Sequence, residues 1–322
     1  MTPAAPEPAT QATQAPHWAA IGESTFAAGL WFLYAVYRVL GRLPFRLCLY
    51  PVVVYYWATR PLARRASLDY LRRMQARHGA LGGAPGWRAS LRHFLSFADT
   101  LLDKLLAASG RYRLERLRFV GREPLLALVE RGQGALVVTA HVGCLELYEA
   151  AIGSLPGFRL TVLVHTAHAP AFNRVLQRLR PHSGITLLQV SEVTAATAVL
   201  LAEKVAAGEF VAIAGDRVPL RRSAGNTTRA NFLGREAAFP VGPYVLAALL
   251  KVPLYTMLCL REGGGHTVYF DALAERVELP RARRAAAVAE YAARFAGQLE
   301  ERLKLAPFDW FNFFPFWDSL DG

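Results

Sequence analysis

His141 and Glu146 are the residues whose types and spacing are best suited to chemistry. They occur in ALVVTAHVGCLELYEAA at residues 135–151, where an apolar run precedes the histidine and a helical pattern includes the glutamate. A carboxylate that holds one nitrogen of an imidazole leaves the other nitrogen available as a general base. The alternative is structural: His141 is a hydrogen-bonded core residue, and Glu146 complements the dipole of the helix that it begins.

The elements that position these residues follow an alternating pattern from about residue 117. Short apolar runs of strand length, such as GALVVTAH and EFVAIAGD, alternate with helical segments, such as TAATAVLLAEKVAAG. This alternation predicts an α/β fold with a mostly parallel central sheet flanked by helices. Functional groups of such folds lie at the carboxyl ends of the strands, which is where His141 occurs. Gly143 predicts a sharp turn from the strand into the next helix.

Three regions are expected along the 322 residues. Residues 1–16 are rich in Pro, Ala, Thr and Gln and predict a disordered tail. Residues 17–110 predict a membrane-associating helical segment, with GALGGAPG at 79–86 as a break between helices. Residues 111–322 predict the α/β catalytic domain, in which RVPLRRSAGNTTRANFLGREAAFP is a loop and GGGH at 263–266 is a hairpin turn.

Two apolar runs before residue 60 indicate contact with a bilayer. Each run has about 12 residues, too short as a helix to cross a hydrocarbon core of about 30 Å. Arg38, Arg42 and Arg46 recur every four residues and predict a polar stripe at headgroup level. These features favour an interfacial or re-entrant helical membrane anchor, with a single tilted span or a buried hydrophobic hairpin as alternatives.

Charge and cysteine content restrict the partners. The formal net charge of +12 predicts acidic partners, which are nucleic acid, an anionic membrane or an acidic carrier protein. Basic residues directly after the apolar segment favour the membrane. The sequence lacks zinc-finger spacing and nucleic-acid-binding motifs, so nucleic acid is not expected. Three widely separated cysteines predict neither a disulfide framework nor a metal site, and we expect no cofactor.

A family resemblance rests on two ordered blocks. AHVGCLELYEAA resembles the H-x4-D/E block of the lysophospholipid acyltransferase superfamily, especially its bacterial lipid A biosynthesis (late) acyltransferase branch. GDRVP at 215–219, followed by FLGREAAFPVGPYVLAALLKVPLY at 232–255, is similar to the second block of that branch. The aromatic tail FDWFNFFPFW is also in keeping with the family. The resemblance implies a glycerolipid acyltransferase-like fold at the inner (cytoplasmic) membrane, with the active site facing the cytoplasm.

The resemblance also implies a reaction. His141 deprotonates a hydroxyl or amine of a lipid acceptor, which attacks the thioester of an acyl-ACP (acyl carrier protein) or acyl-CoA donor, and Glu146 orients His141. Backbone N–H groups around Gly143 and near Gly234 are the expected oxyanion donors. Asp216 and Arg217 are expected to position acceptor or donor.

Further expectations concern binding. Arg235 is expected to meet a phosphate, as are the loop residues Arg221, Arg222 and Arg229, for which simple solvation is the alternative. Cys144 replaces the asparagine that is usual in the lipid A branch, which predicts an altered acceptor pocket.

Three rival functions compete with this interpretation. Cys144 invites a cysteine-hydrolase interpretation, in which its thiolate is acylated and then hydrolysed. A membrane-bound thioesterase would use His141 to activate water, and a non-catalytic basic protein would bind a membrane or nucleic acid. His165 and His168 have the spacing of a metal pair without a third ligand, so a loop or substrate-channel role is preferred.

Overall fold

The protein is described from a computed structural model, which covers residues 23–152, 158–164, 185–189, 194–218 and 225–317. The predicted N-terminal tail, the pair His165 and His168, and the loop residues Arg221 and Arg222 lie outside the described residues. The α-helices are α1 (Glu23–Leu40), α2 (Arg42–Thr59), α3 (Pro61–His78), α4 (Trp87–Ala108), α5 (Glu123–Glu130), α6 (Leu145–Ile152), α7 (Ala195–Ala206), α8 (Gly242–Leu250) and α9 (Arg284–Leu303). Short 3-10 turns occupy Leu114–Arg116 and Arg281–Arg283.

The strands form one central sheet and one hairpin. Seven strands of the central sheet are arranged in the order β1-β9-β8-β2-β5-β3-β4, and neighbours are parallel except for the β8–β9 pair. Their bounds are β1 (Leu117–Val120), β2 (Leu136–Thr139), β3 (Leu160–Val164), β4 (Ile185–Gln189), β5 (Phe210–Ala214), β8 (Leu254–Glu262) and β9 (Gly265–Ala274). This arrangement confirms the predicted mixed α/β fold with a mostly parallel central sheet.

Strand β2 lies at the centre of the sheet, between β8 and β5. All four of its residues are buried, as expected for an apolar strand covered on both faces. Helix α9 covers one face of the sheet. Its residues Ala292, Phe295 and Leu299 recur every three or four positions and are fully buried. The carboxyl end of β2 is therefore fixed by the core, and His141 follows two residues later.

The loop predicted for residues 217–240 is wrong from residue 227 onwards. β6 (Thr227–Phe232) and β7 (Arg235–Pro240) form a separate antiparallel hairpin. Alternate residues Ala230 and Phe232 face the core, which is the ordinary strand period. Leu233 and Gly234 turn the chain with φ of 52° and 81°, and positive φ at both central residues is typical of a tight hairpin.

Helix α2 packs against α4. Phe45 and Leu49 of α2 meet Ala98 and Leu102 of α4 in a small apolar cluster. Within the described ranges, no helix combines the length and the apolar character needed to cross a bilayer.

Two arginines of the predicted headgroup stripe bind acidic residues of α4. Arg46 donates two hydrogen bonds of 2.9 Å to Asp99, and Arg42 binds Asp103. These carboxylates compensate the charge of Arg42 and Arg46 within the protein, and the polar stripe at headgroup level stays a prediction.

Candidate active site

The carboxyl ends of β2 and β5 bring His141 and Asp216 together. The two strands pair in parallel, with Thr139 opposite Ala214. His141 and Asp216 each lie two residues beyond this pair, and Gly215 N–H extends the pairing by donating to Thr139 O at 2.8 Å. Equal offsets from a parallel register therefore place the two side chains next to each other.

Asp216 holds His141 by two hydrogen bonds, one to the imidazole and one to the backbone. His141 Nδ1 lies 2.8 Å from Asp216 Oδ1, and the His141 backbone N–H donates to Oδ2 at 3.0 Å. Asp216 is buried, whereas the His141 side chain is 49% exposed. An Nδ1–H that donates to the carboxylate leaves the lone pair on Nε2, so the solvent-facing part of the ring can accept a proton.

The charge of Asp216 is maintained despite its burial. Burial by itself raises the pKa of Asp216, but the nearby charge of His141, its hydrogen bonds and the charge of Arg217 together lower that pKa well below its usual range. Asp216 is therefore an anion at neutral pH, which favours the Nδ1–H tautomer and stabilises the imidazolium when His141 takes up a proton.

A third hydrogen bond to Asp216 comes from the C-terminal tail. Trp310 Nε1–H donates to Asp216 Oδ2 at 3.0 Å, and the indole is fully buried. Phe311 N–H donates to His141 O at 3.0 Å, and Gly143 N–H donates to Asp309 O at 2.9 Å. The tail thus binds both the carboxylate and the backbone of the turn that carries His141.

These contacts change the role expected of Gly143. Its N–H is occupied by Asp309 O, so in this structure it is not available to an oxyanion. The turn predicted at this glycine is confirmed: φ is 52°, and an added Cβ would lie 1.8 Å from Cys259 O. Gly143 is required because the turn passes directly against β8.

Glu146 meets a lysine that the sequence had not singled out. Lys104 Nζ donates to its two carboxylate oxygens at 2.6 and 2.8 Å. Burial raises the pKa of Glu146, but the Lys104 charge and hydrogen bonds outweigh burial and lower it. The hydrogen bond that orients His141 comes from Asp216 instead of the predicted Glu146, since the register of β2 and β5 places Asp216 beside the ring and the α4–α6 contact places Lys104 beside Glu146.

Cys144 is fully buried beneath α6. Its Sγ lies 3.6 Å from Glu146 Oε2. Burial raises the pKa of the Cys144 thiol well above its usual range, and the Glu146 charge raises it further. A buried neutral thiol is a poor nucleophile, which argues against the cysteine-hydrolase interpretation. The side chain also has no surface with which to contact an acceptor in this conformation.

The remaining predicted binding residues lie in two places. Arg217 donates to Phe311 O at 2.9 Å and its guanidinium lies 4.5 Å from the centre of the Phe314 ring, so it holds the tail. Gly234 and Arg235 lie at the exposed turn of the β6–β7 hairpin. Phe232 of that hairpin packs on Trp310 at 5.2 Å between ring centres, which connects the hairpin to the site.

Sequence reasoning missed Lys104 and Trp310. Lys104 gave no signal beyond its place in an amphipathic helix. The tail FDWFNFFPFW was a signal for Trp310, because so many aromatic residues at the end of a chain must pack somewhere. Only the folded chain shows that this tail returns to His141.

We predict that Trp310→Phe lowers kcat about tenfold with little change in KM, because Asp216 loses a hydrogen bond to a charged group. Trp317→Phe is the matched control: Trp317 is an equally buried indole that donates to Phe232 O at 3.2 Å. Steady-state kinetics and thermal unfolding of both variants provide the test. Equal losses of kcat in variants of equal stability would show that Trp310 is merely structural.

His93 supports the same tail from the opposite side. The ring lies between Ser67 Oγ, 3.0 Å from Nδ1, and Trp310 O, 2.8 Å from Nε2. Trp310 O can only accept, so the neutral ring carries its proton on Nε2 and accepts the Ser67 hydroxyl at Nδ1. Burial lowers the pKa of His93 to about 4, and the hydrogen bond to Trp310 opposes this only partly.

We predict that His93 makes the protein less stable in acid. Its folded-state pKa lies below the unfolded value of about 6.5, so between these values only the unfolded chain takes up the proton. The neutral, buried His93 therefore contributes about 3 kcal/mol to the free energy of unfolding above pH 6.5. This contribution is lost as the pH falls towards 4. Urea unfolding measured between pH 7 and 4.5 should show that the free energy of unfolding falls less steeply with decreasing pH for His93→Gln than for the wild-type protein. An unchanged slope would contradict the assignment.

Among the described residues, no group of three or more His, Cys, Asp or Glu side chains is arranged to hold a metal ion. The model of one protein family, described as bacterial lipid A biosynthesis acyltransferase, matches residues 107–319. That range includes His141, Asp216 and Trp310 and covers most of the chain. No curated protein matches the sequence.

Proposed function

The chain belongs to the bacterial lipid A biosynthesis acyltransferase family, and on that premise we propose that it transfers a fatty acyl group from a thioester to a lipid acceptor with His141 as general base. The observation that supports this role best is the half-exposed imidazole whose Nδ1 lies 2.8 Å from a buried carboxylate, Asp216. Such a pair fixes the ring and its tautomer and leaves Nε2 free to accept a proton, as a positioned base requires.

In the proposed reaction, His141 Nε2 takes the proton of an acceptor hydroxyl or amine while the oxygen or nitrogen of the acceptor attacks the thioester carbonyl. The C–S bond breaks as the tetrahedral intermediate collapses, and the departing thiolate receives the proton from the imidazolium. Asp216 stabilises that imidazolium and remains an anion throughout. No covalent acyl-enzyme is needed, which agrees with the buried Cys144 thiol.

The oxyanion of the tetrahedral intermediate needs stabilisation from a source other than Gly143 N–H. We assign this role to the N-terminal end of α6, which begins at Leu145, four residues after His141. The partial positive charge of a helix N-terminus favours a developing oxyanion. Glu146 lies in this first turn, and its compensation by Lys104 prevents it from repelling the negative charge.

We also propose that the protein associates with the cytoplasmic face of the inner membrane through α1 and α2. Large apolar side chains are exposed on these helices, in a density that is unusual for a water-facing surface. They include Phe32, Val39, Leu40, Leu43, Leu47, Val52 and Tyr55. Basic side chains on α3, including Arg64 and Arg65, would add attraction to anionic lipid.

The nearest rival is a thioesterase, because water can also reach the exposed ring of His141 and be activated by it. Incubating purified protein and vesicles of bacterial lipid with an acyl-ACP or acyl-CoA, followed by product analysis, separates the two functions. We expect acylated lipid to exceed free fatty acid. Free fatty acid as the only product would contradict the transferase, and the absence of both products would contradict His141-dependent thioester chemistry altogether.

A further inference from the structure

An arginine-rich surface lies at one edge of the central sheet. Residues 111–122, RYRLERLRFVGR, contain five arginines and one glutamate. We call the exposed arginines of this segment the β1 basic patch: Arg111, Arg113, Arg116, Arg118 and Arg122. They cover strand β1 and the turn before it, and β1 is an edge strand of the sheet.

The arginines of the β1 basic patch are not used to hold the fold together. None of them forms an ion pair with a described residue, although Arg122 lies over the Phe119 ring at 5.2 Å. Elsewhere Arg46, Arg261 and Arg302 bind carboxylates directly. Five positive charges in so short a segment, none of them paired with a described residue, repel each other, and binding an acidic partner would relieve this repulsion.

The patch surrounds an open groove. Two adjoining depressions of about 490 and 600 Å³ share Arg118 and Glu262 along their walls. The Gly263–Gly265 turn lines one end, and Phe119 and Val120 line the other. Glu262 is the acidic residue that lines both depressions, and it already accepts a hydrogen bond from Tyr269 Oη. The surface therefore presents a concave wall with positive charges on its rim.

The segment before β1 is fixed firmly to the sheet. Tyr112 Oη lies 2.8 Å from Nδ1 of the buried His266 on β9. Arg111 N–H and Tyr112 N–H both donate to Leu106 O at the end of α4. The backbone at the start of the β1 basic patch is thus held in place before any partner arrives, which reduces the backbone entropy lost on binding.

The topology places the part of this patch that precedes β1, which is Arg111, Arg113 and Arg116, at the same end of the strands as His141. β1 is parallel to β9, β9 is antiparallel to β8, and β8 is parallel to β2. The start of β1 therefore lies at the end of the sheet where β2 ends and His141 follows. Three strand spacings separate β1 from β2, or roughly 14 Å. A partner docked here needs a flexible arm to bring a reactive group to the imidazole.

We propose that the β1 basic patch docks the acidic acyl carrier protein that presents the thioester to His141, an inference that rests on the proposed function. A carrier protein combines an acidic surface with a long flexible arm, and the patch combines spread positive charge with a site several strands away. The arginines are distributed over a turn, a 3-10 helix and a strand, which suits an extended protein surface better than a single phosphate group.

The test compares two triple variants of the full-length protein. Arg113→Glu/Arg116→Glu/Arg118→Glu reverses the patch. The matched control reverses three exposed arginines elsewhere, Arg276→Glu/Arg281→Glu/Arg284→Glu. These residues follow the carboxyl end of β9, at the opposite end of the strands from His141. Thermal unfolding establishes that both variants are folded.

Binding of a decanoyl-loaded bacterial acyl carrier protein is then measured at low salt. We expect the patch variant to bind at least about tenfold more weakly than wild type, and the control to bind like wild type. Added salt should weaken wild-type binding and leave the patch variant little changed. Absent wild-type binding, or equal binding by all three proteins, would overturn the docking surface.

Two further measurements separate this inference from its premise. With decanoyl-CoA as donor, the patch variant should keep the wild-type transfer rate, whereas an equal loss with both donors would overturn the assignment to the carrier. Weaker binding to anionic vesicles with unchanged carrier binding would assign the patch to the membrane and overturn it as well. Loss of carrier binding supports the docking surface even if no acylated product forms, in which case only the proposed function fails.

Discussion

Replacing His141 with alanine should reduce acyl transfer by about 10⁴-fold, the upper end of what a general base contributes. The reason is the geometry of the ring: Nδ1 is held by a buried anion, and the exposed part of the imidazole carries the free lone pair. Without the ring, an acceptor must attack in its protonated form. Initial rates with purified protein, thioester donor and bacterial lipid provide the measurement.

His141→Ala should change the rate without unfolding the protein. The side chain is half exposed, so its removal leaves no large cavity, and the His141 backbone can keep its hydrogen bonds to Asp216 and Phe311. Thermal unfolding close to that of wild type is the necessary control. A well-folded variant that retains more than about a tenth of the activity would show that His141 is not the base.

Asp216→Asn should lower kcat by about 10³-fold, because the amide removes the buried negative charge and permits the wrong imidazole tautomer. Oδ1 accepts from Nδ1–H in the wild-type chain, and Oδ2 accepts from His141 N–H and Trp310 Nε1–H. An Asn NH₂ group must face one of these donors. The substitution therefore disturbs both the charge and the orientation of the ring.

Glu146→Gln is the informative comparison for Asp216→Asn. Glu146 was the partner predicted from the H-x4-E spacing, and in the structure its carboxylate binds Lys104. We expect the Glu146 variant to lose less activity than the Asp216 variant at comparable stability. The reverse order would show that Glu146 becomes the partner of His141 during the reaction.

The sequence was sufficient to predict where His141 lies in the fold. His141 follows an apolar run of strand length, and a helical pattern begins four residues later. Gly143 lies between the two, and local propensity alone specifies this strand-turn-helix unit. Both the parallel sheet and the location of His141 at a strand end follow from such patterns.

The carboxylate partner was not predictable, since it depends on which strands become neighbours. Asp216 is 75 residues from His141 in sequence, and only the β2–β5 register places them side by side. The H-x4-E spacing favoured Glu146 because that residue is local. A choice between the two acids requires the order of strands in the sheet, which single-strand patterns do not contain.

The same limit applies to the C-terminal tail and to the β6–β7 hairpin. Trp310 reaches Asp216 across 94 residues, a contact that no local pattern encodes. The hairpin was predicted as a loop, and the short strands on either side of Gly234 were not identified. Their pairing and their packing on Trp310 and Trp317 determine the strand conformation.

Lipid mass spectrometry of cells that express the wild-type protein or His141→Ala, at matched levels in the membrane fraction, tests the central claim most directly. The proposed mechanism predicts that wild-type cells accumulate acylated lipids that are absent from cells without the protein. It also predicts that His141→Ala returns those lipids to background. The same acylated lipids above background in both strains would contradict catalysis by His141.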